Sequence, residues 1–315
     1  MKKKIRKGMK IALAASILVF IFLQSNPAKI YAEITGTRAS YYLLASAVFL
    51  STLVAAGKRW NNLSGSLGEN LSLWESFRLI TVSYGFNLAL PGNSGDLIRS
   101  KIQKRYIKVE NESKILGAVA AERFMDFVGL TIVGSLSLSL ISTLPKIASY
   151  LVSLMALVTF ASGTLFYLKP VAVKKVVDLL NITGSKKVES FVSNVLAGVK
   201  ESSKEKRIEN FALTLYIWMG EALAFYLLIK SLSLDIGLWE GSLITTLMTF
   251  GSAVPATPAG LGIVEAIGSG LGTAAGASVS AAVSLVILQR SLSILQVGAV
   301  SFIIYNLEEL KVIGK

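Results

Sequence analysis

The sequence contains no cysteine and no histidine. The first absence excludes disulfide scaffolds and thiolate nucleophiles and leaves the redox compartment unread. The second removes every Ser-His-Asp or Cys-His mechanism. Together they remove zinc fingers and histidine-ligated haem. Charged residues are scarce as well, 16% of 315 residues, where a soluble domain carries about 25%. Hydrophobic residues make up 53% and the mean hydropathy is +0.61. These values speak against a soluble globular enzyme and exclude intrinsic disorder. No Gly-x-x-x-x-Gly-Lys-Ser/Thr loop is present, so there is no P-loop ATPase. No cofactor motif and no metal-ligand cluster is signalled, although a carboxylate site stays open.

What is present is a set of long apolar runs. A membrane helix needs about 20 apolar residues. Segments 11–23, 41–56, 127–144 (extending back through Ala118), 147–168, 211–229 and 279–305 are expected to span, making six. Two further apolar stretches, 73–90 and 238–254, end at Pro91-Gly92-Asn93-Ser94-Gly95 and at Pro255-Ala256-Thr257-Pro258-Ala259-Gly260-Leu261-Gly262. Proline removes a backbone donor and clashes with the preceding turn, and glycine admits backbone angles that other residues avoid. Each stretch therefore reads as a helix broken at membrane depth, where irregular backbone must be buried in protein or line a wet cavity.

The net charge of +13 is a matter of topology. Residues 1–10 carry six Lys/Arg and no acid, and residues 58–114 and 169–210 each carry nine basic and five acidic residues. The opposite-side loops hold only Lys29, Arg38, Lys146 and Lys230. Cytoplasmic loops carry the Lys/Arg excess. The three basic regions share one side only if 73–90 enters and leaves by the cytoplasmic face, as a re-entrant hairpin. The second break then dips in from outside, and both termini are cytoplasmic. A rival reading takes the Lys-rich start as a signal peptide cut near Ala32, although Ile30 suits the small-residue rule poorly. Stretches 171–180 and 188–199 are amphipathic and suit either an anionic leaflet surface or a solvated linker. The basic runs lack interleaved aromatics and border spans, so nucleic acid is not an expected partner.

The two breaks share a spacing. Gly95 and Gly262 each lie four residues beyond a proline, Pro91 and Pro258, and Arg123 and Arg290 lie 32 beyond the same prolines. Each unit, about 41–144 and 211–305, runs span, broken hairpin, arginine-bearing span. By the charge argument the two enter from opposite sides. The expectation is one all-α polytopic membrane domain over 1–315, an inverted repeat joined by a cytoplasmic connector at 169–210. That architecture is found in secondary transporters, whose broken tips meet near the midplane.

A charge at bilayer depth is costly and usually faces a cavity or a partner. Arg123 and Arg290 can present a forked guanidinium to phosphate. Glu122, Glu221 and Glu265 can hold those arginines or exchange protons, with Asp96, Arg99 and Asp126 beside them. The plainer reading is that Arg290–Glu265 and Arg123–Asp96 are buried pairs satisfying one another. The helix starts after Pro91 and Pro258 offer N–H groups to anions. Asn87 either contacts headgroups or satisfies backbone groups freed at the break. Gly268, Gly272 and Gly276 read as a packing face.

The run Asn87-Leu-Ala-Leu-Pro91-Gly-Asn-Ser-Gly95-Asp96-Leu-Ile-Arg99 resembles the first signature of the flippase-like family named for the transmembrane region of lysylphosphatidylglycerol synthetases. Ala121-Glu122-Arg123-Phe-Met-Asp126 is similar to its Glu-Arg-x-x-Asp signature. Pro255-Ala-Thr-Pro258-Ala-Gly260-Leu-Gly262-Ile-Val-Glu265 resembles its Pro-x-x-Pro-Gly-Gly-x-Gly-x-x-Glu signature, and Arg290 falls at its late arginine. Asp96 stands where Glu is usual, and Ala259 where Gly is usual. The resemblance implies movement of a polar lipid, or of a lipid-linked sugar, between leaflets of the cell membrane. It implies no synthesis, because the aminoacyl-transfer domain of the fused synthetases is not in this sequence. A membrane enzyme acting on a lipid-linked substrate, with Glu265 or Asp96 as base, and a non-transporting scaffold are the competing expectations. The partners expected are the lipid itself and either a second copy in a homodimer or a lipid-modifying enzyme.

Overall fold

The computed structural model describes residues 26–65, 67, 71–90, 94–103, 112–141, 154, 193, 195–197, 206–253 and 257–307. The expected spans 11–23 and 147–168 lie outside the described residues, Leu154 excepted. So do Pro91, Pro255 and nearly all of the connector. Among the described residues the chain is helical and has no strand. The helices are α1 (Pro27–Thr35), α2 (Ala39–Gly65), α3 (Leu73–Ala89), α4 (Ser94–Gln103), α5 (Glu112–Leu140), α6 (Arg207–Ser231), α7 (Leu238–Ala253), α8 (Ile263–Ala274) and α9 (Val279–Leu292). The last of these runs through a π-helical segment, Ser293–Ala299, into α10 (Val300–Leu307).

Three helices are long and apolar enough to cross a membrane by length and composition: Ala39–Gly65, Arg207–Ser231 and Val279–Asn306. Only 28%, 39% and 39% of their most apolar windows are buried within the protein. Leu43, Leu44, Leu50, Met219, Leu223, Leu295 and Phe302 therefore face outward, as lipid-facing side chains must. Helix α5 covers the expected 127–144 span as far as Leu140 and reaches back past Ala118 to Glu112.

Both broken stretches are helix, interruption, helix. Ser72 starts α3 with a capping box: its hydroxyl accepts from the Glu75 amide while Glu75 accepts from the Ser72 amide at 2.7 Å. Such reciprocal caps satisfy two orphan donors. The chain leaves α3 at Leu90, in extended conformation, and re-enters a helix at Ser94. Helix α7 likewise ends at Ala253, and a single 3₁₀ turn, Pro258–Gly260, leads into α8.

The packing is reciprocal. Helices α2 and α6 lie against each other. The first hairpin helix, α3, packs on the π segment and α10, while its counterpart α7 packs on α5. Each hairpin thus leans on the arginine-bearing span of the other unit. Lipid is as apolar as leucine, so close packing rather than water exclusion holds such helices together, and small residues mark the contacts. A Cβ on Gly85 would meet Ser301 Oγ at 2.1 Å, and one on Gly268 would meet Val286 Cγ2 at 2.5 Å. Gly272 also packs closely, since a Cβ there would lie 3.0 Å from the Ala282 Cβ. Gly276 does not extend that face: nothing lies near it, and its φ of +103° closes the end of α8.

Two corrections follow. Arg59 and Arg99 belong among the cytoplasmic charges by sequence position, yet both are fully buried. Their charge is answered inside the protein and says nothing of sidedness. The residues about Lys29, read from the sequence as an opposite-side loop, are helical. They form α1, capped by Asn26, whose Oδ1 accepts from the Ala28 and Lys29 amides. It packs on α9 with Ile30 buried, so a cut near Ala32 would fall inside a docked helix.

Candidate functional site

The first break is held by its own side chains. The Gly95 amide donates to Asn87 Oδ1 at 2.8 Å, so Asn87 on α3 caps α4 across the interruption. A Cβ on Gly95 would sit 1.9 Å from the Ser83 carbonyl oxygen, so only glycine allows the two helices this approach. The approach places Asp96 beside Ser83, whose hydroxyl donates to Asp96 Oδ1 at 3.0 Å.

From α5, Arg123 grips Asp96 with two nitrogens, Nε to Oδ2 at 2.8 Å and Nη2 to Oδ1 at 3.1 Å, and turns Nη1 to Asp126 at 3.0 Å. One turn beyond Asp96, Arg99 donates to Glu122 at 2.5 Å and stacks 3.8 Å over the Trp60 ring. Trp60 is itself tied to Gln103 through its indole N–H. From α2, Arg59 reaches Asp126 at 2.7 Å, Glu122 at 3.3 Å and Thr214 Oγ1 on α6 at 2.9 Å. Three arginines and three carboxylates therefore alternate with no net charge. Desolvating a single ion costs several kcal/mol, so such a lattice is tolerable only when every member has its counter-ion.

The second break carries one pair. Ala259, Gly260 and Gly262 have φ of 48°, 66° and 85°, a run of left-handed backbone that turns the Ala259 carbonyl inward. Arg290 accepts that direction, donating from Nη2 to Ala259 O at 3.0 Å and from Nε to Glu265 Oε1 at 2.9 Å. The other oxygen of Glu265 accepts from the Gly262 amide at 2.7 Å and so caps α8. Arg290 lies in the last turn of α9, and the chain beyond Leu292 widens into the π-helical segment, a device common at functional sites.

Between the hairpins lies a cavity of about 250 Å³. Of the residues singled out by sequence, Asn87, Arg123, Asp126, Glu221 and Arg290 line it, together with the backbone of the second break at Ala259. Gly95, Asp96, Arg99, Glu122, Gly260, Gly262 and Glu265 stand behind that wall and hold the lining residues in place. Pro258 opens the 3₁₀ turn. One amide at each helix start is already taken, that of Gly95 by Asn87 and that of Gly262 by Glu265, and neither is open to an anion. The expected pairs Arg123–Asp96 and Arg290–Glu265 are both formed.

Sequence reasoning missed Arg59, Tyr84 and Gln289. Tyr84 and Gln289 line the cavity, and the Tyr84 ring lies 5.7 Å from the Arg123 guanidinium carbon. Tyr84 carries no distinguishing signal in the sequence, whereas Gln289 stands beside Arg290 as a polar break in the apolar run 279–305. Arg59 carries a signal as well: the first unit holds three acids at bilayer depth, Asp96, Glu122 and Asp126, against two arginines, Arg99 and Arg123. That deficit calls for a third cation.

Outward-facing apolar helices around an ion-paired polar interior define the class, an all-helical membrane protein with a small charged chamber between two broken helices. More particularly, the chain belongs to the family described as the lysylphosphatidylglycerol synthase TM region, which matches residues 9–301. It is also similar to the UPF0104 membrane protein MJ1078 of Methanocaldococcus jannaschii, at 29% identity over 188 residues, 57% of this chain and 75% of that protein.

Proposed function

We propose that the protein moves the polar headgroup of an anionic or zwitterionic phospholipid, or of a lipid-linked sugar phosphate, between the leaflets of the cell membrane, and that it is not an enzyme. The two units are read as inverted halves of a six-span domain with both termini cytoplasmic. The reciprocal packing of each hairpin on the other unit's arginine span supports that reading. Membership of a family named for a lipid-synthase membrane region supports a lipid cargo.

The observation that carries the proposal is Arg290. It lines the cavity, only Nε and Nη2 are engaged, and Nη1 has no hydrogen bond among the described residues. One edge of the guanidinium is left for a phosphate oxygen. At about 250 Å³ the chamber lies just below the 300–1,000 Å³ usual for drug-sized ligands. It suits a headgroup whose acyl chains stay in lipid. Arg123, with three donors committed to carboxylates, serves as a wall charge that yields only when a competing phosphate replaces Asp126.

The test is a reconstituted vesicle carrying phosphatidylglycerol with a headgroup-proximal fluorophore, treated with a membrane-impermeant reductant. The wild type is expected to expose the inner-leaflet label, and Arg290→Ala to slow that exposure at least about tenfold, the equivalent of about 1.4 kcal/mol. Wild type behaving like empty vesicles would reject the proposal. New product from the same lipids in detergent, where leaflets do not exist, would favour the enzyme instead.

A further inference from the structure

Once every pair is counted, one carboxyl in the chamber is left over. The first lattice balances three arginines with three acids, and Arg290 is balanced by Glu265. Glu221, well inside α6, has no ion pair and no hydrogen bond among the described residues. It borders both the main chamber and a second void of about 10 Å³ that it shares with Gln289. We propose that Glu221 is the proton-binding site of this chamber, and that protonation there is coupled to headgroup movement, so that a proton gradient drives transport. This rests on the transport reading above.

The groups facing Glu221 decide what it can take. Helix α3 contributes Tyr84, α5 contributes Arg123 and Asp126, and α9 contributes Arg290. Both arginines are committed to other carboxylates, and Asp126 is itself an anion. Helices α2 and α7 offer no titratable group to the chamber. An ionised Glu221 therefore has no counter-charge and repels an entering phosphate. A protonated Glu221 is neutral and can donate its O–H. Gln289 supplies a buried Oε1 without a donor on the wall of the same small void.

A metal ion would need several oxygen ligands. The described residues contain no group of three acidic ligands placed to hold a metal ion, and the wall about Glu221 is Phe49, Trp218 and Met248 as much as oxygen. The step is a simple one. An O–H bond forms at a Glu221 carboxyl oxygen with a proton taken from water on one side and breaks to water on the other. Proton and anionic headgroup each strengthen the other's binding, since linkage is reciprocal.

Two measurements on the full chain in vesicles test this. The first is infrared difference spectroscopy across a pH series, reading the C=O band of a protonated carboxyl. Wild type is expected to show the band, and Glu221→Gln to lose it. The second applies a one-unit pH gradient and reads the steady-state leaflet ratio of labelled phosphatidylglycerol. One coupled proton is worth up to about a tenfold ratio, because one pH unit is about 1.36 kcal/mol. A proton ionophore should abolish that ratio, and Glu221→Gln should equalise the leaflets with or without a gradient.

A wild type that flips lipid to an even ratio under the gradient, with no Glu221-dependent band, overturns the proton site and leaves the transport reading standing. A Glu221-dependent band without any flipping keeps the site and removes the transport reading. If Glu221→Gln fails to give a monodisperse protein, the wild-type ratio with and without ionophore still decides the coupling.

Discussion

The two broken hairpins share a proline-glycine-arginine spacing and differ in what surrounds the arginine. Around the first, six ions from α2, α4 and α5 lock together, and the guanidiniums of Arg59 and Arg99 are fully buried. Around the second, Arg290 meets one carboxylate and one carbonyl only, although its side chain is less exposed than that of Arg123, 18% against 32%. The same backbone solution thus serves two ends. The first is a wall tied at many points, because each of its members pairs with at least two others. The second can exchange a partner at modest cost, because only one pair opens. The chamber between them has a rigid side and a yielding side.

The sharpest way to break this contrast is to remove one carboxylate from each side. Glu122→Ala takes the near carboxylate from Arg99, leaving it only Asp96 at 3.6 Å, and one of two carboxylates from the fully buried Arg59. Breaking a buried pair costs about 3–5 kcal/mol. The expected result is a large fall in thermal unfolding temperature in detergent, or failure to fold. Glu265→Ala leaves an arginine that is already partly exposed and still bonded to Ala259, so its cost should be markedly smaller. Equal losses at the two positions would mean that the second pair is as locked as the first.

A smaller effect is expected from glycine. Gly95→Ala places a Cβ 1.9 Å from a backbone oxygen of α3, so the hairpin must open. Overpacking of this kind costs about 1–3 kcal/mol, and it should also shift Asp96 away from Arg123. Gly270→Ala, on α8, meets nothing within 4 Å and should leave stability within about 0.5 kcal/mol of wild type. Chemical denaturation followed by tryptophan fluorescence, with Trp60 beneath Arg99 and Trp218 on the cavity wall, separates the two.

Much of this was legible in the sequence, and unevenly. The breaks were, because proline and glycine act locally: Leu90, the 3₁₀ turn at Pro258 and the left-handed glycines lie where the residue types put them. The pairs Asp96–Arg123 and Glu265–Arg290 were legible for the same reason that they exist, since few ions occur at bilayer depth and each needs a partner. Arg59 was legible only through the count of charges, because a basic residue at the end of an apolar run looks the same whether it ends in water or turns inward to meet Glu122 and Asp126. Helix α1 was overlooked, since Pro27–Thr35 is too short and too mixed to read as a span, and its docking on α9 depends on a partner more than 240 residues away. The arrest of both helix-start amides by Asn87 and Glu265 was beyond reach, because an amide's partner across a break is a matter of tertiary geometry.

The gentlest test lies at Ala259. This residue holds φ 48° and ψ 22°, where an L-residue with a Cβ is strained by roughly 1–2 kcal/mol. Glycine carries no such strain there. The carbonyl of Ala259 accepts from Arg290 at 3.0 Å, so the left-handed turn is what aims an acceptor at this cavity-lining arginine. Ala259→Gly removes the strain but widens the unfolded ensemble, and the two effects oppose each other. The native relief is the larger, so a net gain of up to about 1 kcal/mol is expected as a higher midpoint of chemical denaturation. The first hairpin has no counterpart, because none of its described residues has a positive φ. A glycine at 259 that stabilised the fold and left lipid exposure unchanged would show that the turn serves geometry alone. One that stabilised the fold and slowed exposure would show that the strained turn helps Arg290 let go.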